Sequence, residues 1–153
     1  MALFQRSTQA GGWLGIALVC VAGFEGLYTH AYRDPVGIPT ICFGHIENVK
    51  MGDRLTKEQC HELLAEDLPR YNAMVQRCIK VPMPPHRHAA IVSFTYNVGG
   101  GALCKSSVAR KLNAGDVQGG CDALLLYNKA KGKIFRGLQR RRAVERQMCL
   151  RED

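Results

Sequence analysis

Residues 24–45, FEGLYTHAYRDPVGIPTICFGH, are the stretch from which the fold of this 153-residue chain can be worked out. Within it, residues 34–37 (DPVG) have the composition of a type I turn: Asp caps the first position, Pro presets the second and Gly tolerates the last. Short extended runs flank this turn, so the sequence predicts a small β-hairpin. An apolar run predicts a helix that ends near Glu25. The hairpin would then bring Asp34 and Thr40 back towards Glu25.

Two carboxylates and a hydroxyl in this arrangement suit the hydrolysis of a glycosidic bond. One carboxylic acid protonates the leaving oxygen, and a second group on the other side of the bond handles water or the cation. Glu25, at a helix end among apolar neighbours, is the candidate acid, and Asp34, in a polar turn, is the candidate carboxylate. The alternative is that both are surface charges, because such a pair alone carries little information.

A longer pattern extends from Glu25 to His45, E-G-x5-Y-x-D-x-x-G-x-x-T-x-x-x-G-H. With this pattern, the chain resembles the phage-type lysozymes, the muramidase endolysins of tailed phages. Further matches lie, in the family's order, at residues 93–99 (SFTYNVG), 112–116 (LN-x-GD) and 137–145 (GL-x-x-RR-x-x-E). The resemblance therefore covers most of the chain.

The resemblance implies an α+β, mostly helical fold with two lobes and a cleft between them. A small β-hairpin lobe would comprise residues 25–55, and a connecting helix would span residues 56–79. A larger helical lobe would combine residues 1–24 with residues 80–153. All of these parts would belong to a single lysozyme domain.

The resemblance also implies an activity, which is hydrolysis of the β-1,4 bond between N-acetylmuramic acid and N-acetylglucosamine in bacterial peptidoglycan. Glu25 would be the general acid, and Asp34 would position or activate water or stabilise the developing cation. Thr40 would assist that water from the opposite side, and inversion at the anomeric carbon is the family's expected outcome. No cofactor and no metal are implied.

Four charged residues are expected to support the catalytic set, again by resemblance. Arg142, or its neighbour Arg141, falls where the family supplies a cation to Glu25. Asp67 falls where the family places an acidic partner for the histidine after the hairpin, which is His45 here. Such a pair would tie the hairpin to the connecting helix.

Three uncharged polar residues are weaker candidates for the cleft: Ser93, Asn97 and Ser107. Asn97 is equally suited to capping the end of its own helix. Ser107 stands in a Ser-Ser pair that is typical of the start of a helix.

The sequence of the connecting helix contains a start signal and, further along, a proline that can interrupt the helix. Thr56 and Gln59 form a capping box, which predicts that the helix begins directly after Thr56. Pro69 falls inside the helix, where a proline removes a hydrogen bond and clashes with the preceding turn. We therefore expect either a kink or two helices that meet near residues 67–68.

The formal net charge of +8 calls for an anionic partner. Nucleic acid and an anionic bacterial wall both qualify on charge alone. The densest basic cluster, residues 136–146, alternates with apolar residues at helical spacing, which indicates a core helix with a basic outer face. A nucleic-acid binder would show a basic helix or aromatics among basic residues. No nucleic-acid partner is therefore expected. The resemblance implies that the partner is peptidoglycan, and the chain is expected to be a monomer.

Cysteine is abundant and odd in number, with seven residues at positions 20, 42, 60, 78, 104, 121 and 149. Their spacing does not match that of zinc ligands. An enzyme that works outside the cytoplasm can form disulfides, and the first choice for a bridge is Cys121 with Cys149. The alternative is that the cysteines are separate buried thiols.

Residues 13–24, WLGIALVCVAGF, are entirely apolar or glycine. A membrane span needs about 20 residues, so this run is expected to form a buried first helix. Some lambdoid-phage relatives use such a segment as a releasable signal anchor, and one segment can serve both purposes. By resemblance, the enzyme would act in the periplasm of the host bacterium after export or release.

Three other classes of protein remain as alternatives. An inactive wall-binding module would not require all of Glu25, Asp34 and Thr40, and their joint presence predicts an active enzyme. A cationic membrane-disrupting protein would depend on residues 136–146 and would keep its activity in a Glu25→Gln variant. A lytic transglycosylase has no need of Asp34 and Thr40, and it would release a 1,6-anhydro product.

Overall fold

The computed structural model describes residues 12–153, and this part of the chain is mostly helical with two small antiparallel hairpins. The helices are α1 (Gly12–Phe24), α2 (Lys57–Cys78), α3 (Pro85–Val98), α4 (Gly100–Lys105), α5 (Ser107–Asn113), α6 (Val117–Ala123) and α7 (Arg136–Leu150). The strands are β1 (Tyr28–Arg33), β2 (Pro39–Cys42), β3 (Lys129–Ala130) and β4 (Lys133–Ile134), and a 3₁₀ turn covers Leu124–Leu126. The predicted α+β, mostly helical class is confirmed. The β3–β4 hairpin occupies residues 129–134, a segment with three lysines.

The helix predicted at residues 13–24 is present as α1, which buries Ala17 and Val21. Its Trp13 ring stacks on His88 of α3, with the two ring centroids 4.9 Å apart. Among residues 12–153, no helix is both long enough and apolar enough to cross a membrane. The first eleven residues of the expected helical lobe lie outside the described part of the chain.

The predicted hairpin is formed by β1 and β2, with Tyr32 opposite Thr40. The turn between them follows the expected chemistry: the amide of Gly37 donates to the carbonyl of Asp34 at 2.9 Å. Gly37 has a φ of 88°, which a residue with a side chain rarely adopts. Pro39 is the first residue of β2, a position at which a missing backbone donor is tolerated.

The connecting helix α2 begins as predicted. The Thr56 hydroxyl accepts a hydrogen bond from the Gln59 amide, and the Gln59 side chain accepts one from the Thr56 amide. The alternative of two helices meeting near residues 67–68 is wrong, because α2 is a single helix that includes Pro69. Pro69 is exposed, while Leu64 and Leu68 are buried. Packing of this buried face stabilises the helix on both sides of the proline.

Helix α3 lies at the centre of the core, where residues 89–95 are all buried. It ends at Gly99, and a new helix, α4, begins at the next residue. Gly100 allows this close approach, since a Cβ at that position would lie 2.8 Å from the sulfur of Met74.

Three disulfides link the elements. The predicted bridge between Cys121 and Cys149 is present and joins α6 to α7. A second bridge, Cys42–Cys60, ties β2 to α2, and a third, Cys78–Cys104, ties α2 to α4. Cys20 in α1 remains a free thiol, and burial raises its pKa.

Candidate active site

Glu25 follows directly after α1, and its amide donates to the carbonyl of Val21 at 2.8 Å. Its carboxylate is partly open to solvent, with 27% of the side chain exposed. One oxygen, Oε1, accepts a hydrogen bond of 2.6 Å from Nη1 of Arg141 in α7. A carboxylate at a helix end is thus held by a single buried cation while it still faces solvent.

Arg141, and not Arg142, supplies the cation to Glu25. Successive residues on a helix point about 100° apart, so only one of two neighbouring arginines can face the same group. The Arg142 side chain is fully buried, with Nε 2.5 Å from Oε1 of Glu145 and its guanidinium 5.0 Å from the Phe94 ring centroid. The expectation for Arg142 is therefore corrected in favour of Arg141.

Asp34 is held by the turn that it caps. Its Oδ1 accepts hydrogen bonds from the amides of Val36, at 2.9 Å, and Ile38, at 2.8 Å. Its own amide donates to the carbonyl of Ile38 at 2.9 Å. These bonds fix the carboxylate in a half-buried position.

Thr40 lies in β2 and is almost entirely buried, with 4% of its surface exposed. Its hydroxyl donates to the carbonyl of Ile38 at 2.9 Å. Because that bond uses the only hydroxyl proton, any further partner of this oxygen has to be a hydrogen-bond donor.

The charges of Glu25 and Asp34 both act on the phenol of Tyr32. The pKa of its phenol is raised, first by burial and then by the negative charge of its surroundings, including Glu25 and Asp34. It sits opposite Thr40 in the hairpin. Asp34 and Thr40 thus lie in the same hairpin, whose Tyr32 is within electrostatic reach of Glu25.

The far end of the hairpin also approaches Glu25. A Cβ added at Gly44 would lie 3.8 Å from Oε2 of Glu25 and 3.6 Å from the hydroxyl of Tyr96. Tyr96 donates a hydrogen bond to the carbonyl of Phe43. Burial, with a further contribution from the charge of Glu25, raises the pKa of Tyr96, so its phenol stays protonated as a donor.

His45 and Asp67 are in contact, as the sequence predicts, with Nδ1 and Oδ2 2.7 Å apart. The other ring nitrogen, Nε2, lies 2.9 Å from the carbonyl oxygen of Glu47 and donates to it. Arg70 adds contacts to the carboxylates of Glu47 and Asp67. A cavity of about 230 Å³ opens beside these side chains and reaches Tyr96. The pair joins the segment after the hairpin to α2.

The three weaker candidates are not brought to Glu25 by any hydrogen bond among the described residues. Asn97 is exposed in the last turn of α3, and Ser107 is the half-buried first residue of α5. The cap of α5 is the preceding residue, Ser106, whose hydroxyl accepts from the Ala109 amide. Ser93 is fully buried, which corrects its assignment to the cleft.

Sequence reasoning missed two groups next to the site, Tyr96 and Glu145. Both lie inside motifs that were matched, at residues 93–99 and 137–145, so the signal was present without a role attached to it. Among residues 12–153, no group of three or more side chains is arranged to hold a metal ion.

Comparison with known proteins gives concordant matches. The family model described as phage lysozyme matches residues 22–145. A SAR-endolysin of bacteriophage PS119 is 38% identical over 148 residues, covering 92% of this chain and 89% of the relative. An endolysin from Escherichia coli O157:H7 phage FAHEc1 superimposes with a TM-score of 0.80 at 38% identity, covering 88% of this chain and 90% of that one. The muramidase domain of SpmX from Asticaccaulis excentricus gives a TM-score of 0.84 at 30% identity, over 89% and 95%.

Proposed function

The chain belongs to the phage lysozyme family, and within that assignment we propose how its own residues carry out the reaction. It is a peptidoglycan-hydrolysing endolysin, a glycoside hydrolase of the lysozyme type whose action causes cell lysis. The observation that carries the proposed site is the partly exposed Glu25 carboxylate, bound by Arg141 next to the hairpin of Asp34 and Thr40.

Glu25 is the general acid that protonates the glycosidic oxygen as the bond breaks. Its Oε1 is engaged by Arg141, and its Oε2 lies on the side of Gly44, which leaves room because it has no side chain. The hydrogen bond to Arg141 fixes the plane of the carboxyl group. Glu25 therefore meets the substrate oxygen in one orientation.

Asp34 and Thr40 handle the water on the other side of the bond. The turn amides engage Oδ1 of Asp34, so Oδ2 is the oxygen that accepts a proton from water or faces the cation. The Thr40 hydroxyl donates to the Ile38 carbonyl, so its lone pairs accept a hydrogen bond from the same water. Inversion at the anomeric carbon follows from this division of roles.

We infer a hairpin lobe at residues 25–55, a connecting helix at residues 56–79 and a helical lobe that combines residues 12–24 with residues 80–153. The His45–Asp67 pair supports the site by holding the segment after the hairpin against the connecting helix. Asn97 and Ser107 are peripheral contacts for the glycan.

The protein acts as a monomer on peptidoglycan in the periplasm of the host bacterium. Residues 13–24 anchor it transiently before release, and afterwards the same segment packs as α1. Two observations support this double use: the relatives are SAR-endolysins, and Val19 in α1 is 78% exposed. The net charge of +8 favours retention on the anionic wall.

The products of digestion test the proposed reaction. Purified peptidoglycan treated with the enzyme should release fragments with a free reducing end, which mass spectrometry separates from 1,6-anhydro fragments. Anhydro products would replace hydrolysis with lytic transglycosylation. An absence of soluble products would leave only wall binding.

A further inference from the structure

Helix α7 buries three charged side chains next to one another. Arg142 and Glu145 are 0% exposed, and Arg141 is 5% exposed. Taking charges out of water costs free energy that their mutual attraction only partly offsets. A cluster of this kind 2.6 Å from the proposed catalytic carboxylate calls for a role in the site.

Four neighbouring groups contact the Arg141 guanidinium, and its Nε has no hydrogen-bond partner among residues 12–153. Nη1 donates to Glu25 at 2.6 Å, and Nη2 donates to the carbonyl of Ser93 at 3.2 Å. Nε lies 3.6 Å from Oε2 of Glu145. The Phe24 ring centroid is 5.0 Å from the guanidinium carbon. Only Nη1 is directed to Glu25, and the remaining contacts set the orientation of the planar group.

Glu145 is itself fixed by Ser93. The Ser93 hydroxyl donates to Oε2 of Glu145 at 2.7 Å, and Oε1 lies 2.5 Å from Nε of Arg142. The Cys20 thiol donates a longer hydrogen bond, of 3.6 Å, to the Ser93 hydroxyl. Burial raises the pKa of Glu145. The positive charges of Arg142 and Arg141 and the hydrogen bond from Ser93 lower the pKa, but they offset only part of this effect.

We propose that Glu145 and Ser93 are positioning residues that hold the Arg141 guanidinium against Glu25 and so orient the acid for proton transfer. The proposal rests on the assignment of Glu25 as that acid. Ser93 contributes twice, since its hydroxyl fixes Glu145 and its carbonyl binds Arg141 directly. Without this support, Arg141 would swing and Glu25 would leave its productive orientation.

Ser93→Ala is the most informative variant. It removes only the hydroxyl and leaves the carbonyl that binds Arg141, whereas a change at Glu145 strands the buried charge of Arg142 and endangers folding. The matched control is Ser106→Ala, another buried serine whose hydroxyl makes two hydrogen bonds, to Leu103 and Ala109, remote from Glu25.

Both variants should be assayed on soluble peptidoglycan fragments at a temperature well below their Tm. Ser93→Ala is expected to lower kcat about tenfold or more with little change in KM, because a misplaced catalytic group slows the chemical step. Ser106→Ala should lose stability to a similar degree while keeping the kcat of the unaltered enzyme. If Ser93→Ala loses only stability and keeps its kcat, the proposal is overturned.

A second comparison shows whether the effect passes through Arg141. An Arg141→Lys variant retains the positive charge but lacks the planar guanidinium with its several fixed donors. In that background, Ser93→Ala should cause no more than about a further twofold loss of kcat. A full repeat of the tenfold loss would mean that Ser93 acts independently, and would also overturn the proposal. A Glu25→Gln variant with normal activity would instead overturn the assignment of the acid.

Discussion

The two proposed catalytic carboxylates differ in what holds them. Glu25 is bound by one arginine and remains partly exposed, while Asp34 is held by the backbone amides of its own turn. The hydrogen bonds of Asp34 also shape the hairpin. A substitution at Asp34 can therefore separate catalysis from the maintenance of the turn.

Asp34→Asn should fold normally but lose activity. The amide oxygen of asparagine can still accept from Val36 and Ile38, so the free energy of unfolding should change by less than about 1 kcal/mol. Activity should fall at least about a hundredfold, because the charge that faces the water or the cation is gone. Thermal unfolding and release of soluble fragments measure the two effects.

Asp53→Asn is the matched control for that variant. Asp53 is another turn aspartate, more exposed than Asp34, and its carboxylate accepts from the amide of Lys50 at 2.9 Å. It should retain activity. Retention of activity by Asp34→Asn as well would remove Asp34 from the mechanism.

At the residue scale, the sequence was informative about residue type and less so about neighbours. The pattern of Glu25, Asp34 and Thr40 is the basis of the proposed site, and the predicted pairing of His45 with Asp67 is present. The choice between Arg141 and Arg142 depended on the rotation of α7 about its axis, which motif matching does not supply.

At the element scale, the β1–β2 hairpin is small and is stabilised by links to α2. The Cys42–Cys60 disulfide fastens β2, and the His45–Asp67 contact fastens the segment that follows. A two-stranded hairpin is marginally stable alone. The geometry around Thr40 therefore depends on these links.

Removal of the disulfide by Cys42→Ala with Cys60→Ala should reduce the free energy of unfolding by about 3 kcal/mol. Activity per folded molecule should also fall, because the hairpin carries Asp34 and Thr40. The control is the Cys78–Cys104 pair, which joins α2 to α4. Its removal should destabilise the protein while leaving that activity intact, and equal activity in the two double variants would contradict the role given to the hairpin link.

The docking of α1 should weaken in acid through His88. Burial lowers the pKa of His88, whose ring stacks on Trp13. The folded protein then binds fewer protons there than the unfolded chain, so the contribution of His88 to stability is present above its ordinary value of 6.5 and is lost as pH falls below it.

Trp13 is the single tryptophan of the chain, so its fluorescence reports on this contact. Between about pH 7.5 and pH 5, the fluorescence and the urea midpoint should shift in the unaltered protein, and His88→Gln should remove the part that belongs to His88. Identical titrations of the two proteins would contradict this account of how α1 is seated.

Element boundaries that depend on local chemistry could be predicted, and those that depend on packing could not. The Thr56 capping box fixed the start of α2. Pro69 suggested two helices because its missing backbone N–H is visible in the sequence. The buried face on the opposite side of the helix is not visible there. The start of α4 at Gly100 depends on packing, because this residue lies too close to Met74 for a Cβ to fit.

At the scale of the whole molecule, the site unites distant parts of the chain. Glu25 and Arg141 are 116 positions apart in sequence and meet because α1 and α7 both pack on α3. The hairpin that carries Asp34 and Thr40 lies between them in sequence. A surface that kills by charge alone would need none of this assembly.

The most direct test of the central claim is the clearing of outer-membrane-permeabilised Gram-negative cells by the unaltered enzyme and by Glu25→Gln at matched folding. The control is Glu66→Gln, an exposed change on α2 that raises the net charge by the same single unit. The account predicts that the unaltered enzyme and Glu66→Gln clear the suspension and that Glu25→Gln does not. Equal clearing by all three would show that the basic surface, and not hydrolysis through Glu25, lyses the cells.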